Sequence, residues 1–133
     1  MFRISMEVPS AEEFLSLRAS AGMGPRSPKG VRQGLGNELY CVVLRTNDGD
    51  ELVGMGRVVG DGGTVFHICD MVVKPEWQMK GGGTMIMDAL MGFIEELGVS
   101  DAYVNLIADV EGFYEKWGFK PTLPRSKGMF LKS

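Results

Sequence analysis

The chain has 133 residues, with 14 basic and 17 acidic side chains, a formal charge of −3, 44% hydrophobic residues and 23% charged ones. One domain over residues 1–133 accounts for that length and buries enough surface to hold a core without staples. The charge balance gives no electrostatic case for nucleic acid or an anionic membrane, and no apolar run approaches the ~20 residues needed to span a bilayer.

The opening stretch "MFRISMEVPSAEEF" lacks the apolar region of a secretory leader, so a cytoplasmic protein is expected. In "PSAEEFLSLRAS" at 9–20, Ser10 can cap a helix, Glu12 and Glu13 occupy its first turn, and Phe14, Leu15 and Leu17 form its apolar stripe. "AGMGPRSPKG" then breaks the pattern as a loop, and "VRQGLGNE" at 31–38 reads as a short second helix. From Leu39 the period changes. "LYCVVLRT", "ELVGMGRVV" and "TVFHICDMVV" read as three strands joined by the tight turns "NDGD" and "GDGG", an antiparallel meander. Cys41 and Cys69 both fall in these apolar strands. Two free thiols are expected there, with neither a disulfide framework nor a metal site.

A long helix follows the glycines at 81–83, with Ile86, Ala89, Leu90, Phe93 and Leu97 on one face and Gly98 placed to end it. "AYVNLIA" at 102–108 reads as the next strand and "VEGFYEKW" as a short helix. "FKPTL" and "GMFLK" read as closing strands. The order strand, glycine turn, helix, strand over residues 64–107 is a βαβ unit, so its two strands should be parallel with a right-handed crossover. Ligands of such units gather at the carboxyl ends of the strands, where this glycine turn sits.

The first N–H groups of a helix lack intrahelical partners, and the helix dipole adds partial positive charge there. Glycines let the backbone approach an anion, and Lys80 and Thr84 could add a charge and a hydroxyl, so the turn is a candidate phosphate site. A nucleoside-triphosphate P-loop would need lysine after the last glycine, whereas Lys80 precedes all three. The G-x-G-x-x-G spacing of a dinucleotide fold is absent as well.

"VVKPEWQMKGGGTMIMDALM" resembles the acetyl-coenzyme A signature Q/R-x-x-G-x-G/A of the GCN5-related N-acetyltransferase (GNAT) superfamily, with Gln78, Gly81 and Gly83 on its fixed positions. Met79 stands where many members carry glycine, and Gly82 falls on the permissive position between the fixed ones. "FYEKWGFKP" at 113–121 is similar to the superfamily's second recurring segment, an aromatic-Tyr helix ending in Gly-Phe. The resemblance covers residues 2–132. It implies an α+β fold with a central twisted, mostly antiparallel sheet of six to seven strands, a parallel and splayed fourth–fifth strand pair, and about four flanking helices. It also implies acetyl-CoA as co-substrate without a metal. The backbone of Gln78, Met79, Lys80, Gly81, Gly82, Gly83 and Thr84 would hold the pyrophosphate. The strand edge at Met71, Val72 and Val73 would pair with the pantetheine arm, and Asn105, Phe113, Tyr114 and Lys116 would line its other side. Dimers are common in the superfamily, so a homodimer is compatible with the resemblance.

Acyl transfer from a thioester to an amine needs a neutral amine, a stabilised oxyanion and a proton for the departing thiolate. Tyr114 is the candidate acid, because a phenol of pKa ~10 is protonated at neutral pH and can protonate a thiolate. Val110, Phe113 and Trp117 supply the packing stripe at i, i+3, i+7 and leave Tyr114 beside it. A backbone N–H at Val72 is the candidate oxyanion donor. Strand alternation places Asp70 with Phe66, Ile68 and Val72, where its carboxylate is either a base in a cleft or one partner of an ion pair. His67 falls on the opposite face with Val65, Cys69 and Met71, as a structural residue or a neighbour of the acceptor. The loop at 22–30 corresponds to the superfamily's acceptor side, where Arg26 is either a carboxylate ligand or a surface cation. The expected reaction is acetyl transfer to a primary amine of a small molecule. A protein or peptide N-acetyltransferase and a non-catalytic acyl-CoA sensor are the alternatives.

Overall fold

The computed structural model describes residues 1–133. Its elements run β1 (Phe2–Met6), α1 (Ala11–Ser20), α2 (Pro28–Gly34), β2 (Tyr40–Thr46), β3 (Leu52–Gly60), β4 (Val65–Val73), α3 (Gly82–Glu96) and β5 (Tyr103–Leu106), with 3-10 turns at Pro75–Trp77 and Tyr114–Trp117. The five strands form one sheet in chain order. β1 to β4 pair antiparallel, and β5 pairs with β4 in parallel through the α3 crossover. The meander and the βαβ unit are thus as expected.

Strand count and helix count are smaller than the resemblance implies. Residues 119–133 contain no strand, and the helix expected at 110–117 contracts to the turn at Tyr114–Trp117. Val110 is exposed, while Phe113, Tyr114 and Trp117 all pack against the core. Pro121 denies a backbone donor to any ladder in the first of the expected closing strands, and Pro124 directly follows that stretch. β1 was missed as an element of its own, although Phe2 and Ile4 alternate in the manner of a strand and pack into the core.

Local chemistry fixes the helix ends. Ser10 and Glu13 form a reciprocal capping box at α1, worth ~1 kcal/mol. α2 starts three residues earlier than expected, because Ser27 caps it and Pro28 takes its first position. α3 ends with Gly98 at φ +64°, where the left-handed region closes a helix without strain.

The sheet separates two cores. On one face α3 buries Ile86, Met87 and Leu90 against Val42, Leu44, Phe66 and Ile68. On the other, Phe14 and Leu17 of α1 and Val31 of α2 cover Val43, Met55 and Val72. Gly56 in β3 faces α3. A Cβ there would lie 2.5 Å from Ile86 Cγ2, so the missing side chain sets how closely α3 approaches the sheet.

Candidate functional site

β4 breaks its own alternation at Asp70. Register shifts opposite Met55 and Arg57, and Asp70 adopts φ +54°, so one extra residue forms a bulge in β4. Before the bulge Phe66 and Ile68 face α3; after it Met71 and Val73 do, while Val72 turns to α1 and α2. The strict period of two, which grouped Asp70 and Val72 with Phe66 and Ile68 and placed Met71 with His67, is therefore corrected by one residue. Asp70 faces α1.

There its carboxylate is nearly enclosed. Arg18 Nη1 donates to Asp70 Oδ1 at 2.6 Å, and Arg57 Nη1 donates to Oδ2 at 2.8 Å. Arg57 Nε also donates to Glu38 at 2.9 Å, and Arg18 Nη2 to the Gly24 carbonyl at 2.6 Å. Both guanidinium groups lie over the Phe14 ring at 5.8 and 5.9 Å. Of the two roles open to Asp70, this geometry meets the ion pair. Arg18, Arg57 and Glu38 were not singled out from the sequence. The available signal was Arg57, a lone charge inside "LVGMGRVVG", since a buried charge needs a partner.

β4 and β5 pair only from Val65↔Tyr103 to Ile68↔Leu106, so Cys69–Val73 extend past the end of β5 and open a gap between the strands. Lys74 N–H donates to the Val53 carbonyl at 2.8 Å, toward β3. Strand N–H groups alternate in direction, so Val72 also points to β3, whereas Met71 and Val73 point into the gap. The oxyanion donor expected at Val72 is thus misplaced by the same bulge. Gln78 Nε2 donates to the Val73 carbonyl at 2.9 Å, so its side chain seals the end of this edge.

The glycine turn lies beside the gap. Met79 at φ +63° and Gly81 at φ +84° wind the chain into α3, whose first turn has no side-chain cap. The first intrahelical bond there is from Met85 N–H to the Gly81 carbonyl. The N–H groups of Gly82, Gly83 and Thr84 thus precede the intrahelical ladder. Lys80 and Thr84 are exposed beside them. The three glycines differ in kind. A Cβ on Gly82 would lie 2.7 Å from Leu44 Cδ1, and one on Gly83 would lie 3.2 Å from Phe113 Cζ. Gly82 is the tightest position and not the permissive one. Phe113 in turn holds Tyr114 edge-on with centroids 5.0 Å apart, and Lys116 Nζ lies 5.1 Å from its ring centroid. Burial, with a smaller push from Asp109, raises the Tyr114 pKa above the usual phenol range.

His67 and Asn105, opposite one another in the parallel register, form a pair: His67 Nδ1 donates to Asn105 Oδ1 at 2.7 Å. Asn105 therefore turns its amide to His67. Cys41 and Cys69 are free. Burial first, with Glu38 and Asp70 respectively adding to it, pushes both thiols up to about 12, so neither is a thiolate nucleophile at neutral pH. On the α1–α2 face, an open cavity of about 580 Å³ is lined by Phe14, Val31, Arg57, Asp70, Arg26 and residues 130–133. The gap between β4 and β5 thus lies between the uncapped glycine turn on the α3 face and a cavity on the other. No helix is long and apolar enough to cross a membrane.

The model of the acetyltransferase (GNAT) domain matches residues 26–129. A Staphylococcus aureus protein of unknown function, described as a probable acetyltransferase, is 42% identical. It superposes with a TM-score of 0.94, with 100% of both chains covered. A GNAT-family acetyltransferase from Streptococcus pneumoniae is 27% identical with a TM-score of 0.80, covering 100% of this chain and 98% of its own. An uncharacterised N-acetyltransferase of Pyropia yezoensis is 29% identical over 120 residues, 89% of this chain and 69% of that protein. The domain match over residues 26–129 and these relatives place the chain in the GNAT family, as an acetyl-CoA-dependent N-acetyltransferase.

Proposed function

We propose that the protein transfers the acetyl group of acetyl-CoA to the primary amine of a small molecule, by direct attack in the gap between β4 and β5. The observation that carries this reading is the gap itself. It lies between the uncapped N-terminus of α3 on one face and, beside Asp70, an open cavity of about 580 Å³ on the other, a volume that suits a compact acceptor.

Each group in the site then has a task. The N–H groups of Gly82, Gly83 and Thr84 receive the pyrophosphate, with Lys80 at the rim and Phe113 and Lys116 along the side. The outward N–H groups of Met71 and Val73 pair with the pantetheine arm. The N–H of Met71, the outward donor nearest the bulge, also meets the carbonyl oxygen as it becomes an oxyanion. The neutral amine attacks the thioester carbon, its N–C bond forms, and the C–S bond breaks. The departing thiolate takes the Tyr114 proton, and the proton released by the acetylated nitrogen passes to solvent. Asp70 fixes Arg18 and Arg57, and so shapes the acceptor wall. It does not accept the amine proton. His67 and Asn105 brace β5 against β4.

A panel of small primary amines, mixed with acetyl-CoA and followed by release of free thiol, tests this function. Turnover on members of the panel is the expected result. Calorimetric binding of acetyl-CoA with no thiol release on any amine would favour a sensor, and release only with peptides would favour a protein acetyltransferase.

A further inference from the structure

The cavity carries two cationic heads, Arg26 and Lys132, that form no ion pair. Arg26 Nη1 and Lys132 Nζ each lie 4.0 Å from the point where a Gly24 side chain would begin, and so at most twice that distance from each other. The only acidic side chain in the cavity wall is Asp70, and both its oxygens are taken by Arg18 and Arg57. Arg57 is balanced by Glu38 and Asp70. Arg26 donates only to the neighbouring Pro25 carbonyl at 3.1 Å. Two exposed like charges converging on one glycine, at the mouth of the open cavity beside Phe14 and Val31, give that rim a positive potential.

We infer that the acceptor amine carries an anionic group, a carboxylate or a phosphate, that sits between Arg26 and Lys132 above Gly24. This rests on the small-molecule reading given above. A guanidinium and an ammonium that both reach one oxyanion give charge-assisted hydrogen bonds. They would orient the other end of the molecule, the amine, toward Asp70 and the open edge of β4. Gly24 leaves the slot free, and its backbone lies outside the left-handed region, so other residues are tolerated there.

The test uses acceptors in matched pairs with acetyl-CoA: β-alanine against β-alaninamide, and O-phosphoethanolamine against ethanolamine. In at least one pair the anionic member should have a kcat/KM about ten-fold higher, the gain of one charge-assisted contact. The winning pair separates carboxylate from phosphate. In Arg26→Gln/Lys132→Gln the preference should vanish through the acceptor KM, with the acetyl-CoA KM unchanged. Gly24→Asp places a carboxylate between the two heads and should raise KM for the anionic acceptor alone, whereas Gly24→Ala should not. Independently of turnover, inorganic phosphate should bind the acetyl-CoA-saturated wild type and not Gly24→Asp, as read by calorimetry. Equal use of neutral and anionic members, or a preference that survives the double variant, overturns the anionic acceptor and leaves transfer to small amines standing. Equal phosphate affinity of wild type and Gly24→Asp overturns it too. Failure of every small amine alongside acetylation of a peptide overturns both.

Discussion

Asp70 receives Arg57 Nη1 at 2.8 Å only because the β4 bulge has turned the aspartate out of the α3 core and toward α1. Its other oxygen holds Arg18 at 2.6 Å, so one carboxylate keeps two enclosed guanidinium groups in place. Removing its charge leaves both uncompensated. Asp70→Asn should therefore destabilise the fold by about 3 kcal/mol in a denaturant titration. It should also lower kcat/KM while leaving the ascending limb of the pH–rate profile where it is. A limb that moves or disappears would restore Asp70 as the base.

Tyr114 supplies a proton in the reaction proposed. Tyr114→Phe should lower kcat by roughly 10²-fold or more with little change in acetyl-CoA affinity. Because its pKa is raised by burial, the phenol stays protonated through the usual phenol range. The wild-type rate should then show no Tyr114-dependent fall below pH ~10. Unchanged steady-state turnover in the phenylalanine variant would remove the assignment.

The three glycines should separate by assay. Gly82→Ala drives a methyl toward Leu44 and Phe2 and should cost about 1–3 kcal/mol of stability. Gly81→Val forces a branched side chain to φ +84°, and Gly83→Val pushes on Phe113, so both should weaken acetyl-CoA binding measured by calorimetry. Intact affinity in both valine variants would detach the turn from the coenzyme.

Away from the site, Arg45 lies between Glu7 and Glu13 and holds Glu13 with two bonds of 2.8 and 3.1 Å. The Arg45 hydrogen bond lowers the Glu13 pKa from 4.5 to about 2. A depressed carboxylate stabilises the fold above its unfolded pKa and ceases to as pH falls through its folded one, so this contribution disappears between about pH 4.5 and 2. With the side chain one-third exposed, about 1 kcal/mol remains after screening. Glu13→Gln should flatten the acid limb of the stability curve by that amount in that window.

The sequence made the scaffold legible where the signals are local. Ser10 and Glu13 marked a helix start, the turns around Asp48–Gly49 and Asp61–Gly62 marked the meander, and Gln78 to Gly83 marked the coenzyme turn. What was not legible depended on tertiary context. A bulge at Asp70 cannot be read from period-two alternation, and it moved the expected oxyanion donor, the Met71 side chain and the aspartate together. Gly82 is constrained by Leu44 and Phe2, both far away in the chain. Arg26 could be read only as a candidate, because Lys132, its neighbour across Gly24, is more than a hundred residues away in sequence.

The most direct measurement is a bisubstrate initial-rate study with product identification by mass spectrometry. Direct transfer requires intersecting reciprocal plots and one free thiol per N-acetylated amine, with both products formed roughly 10²-fold more slowly in Tyr114→Phe. Parallel plots with an acetylated protein intermediate, or acetyl-CoA binding that never yields an acetylated amine, would contradict it.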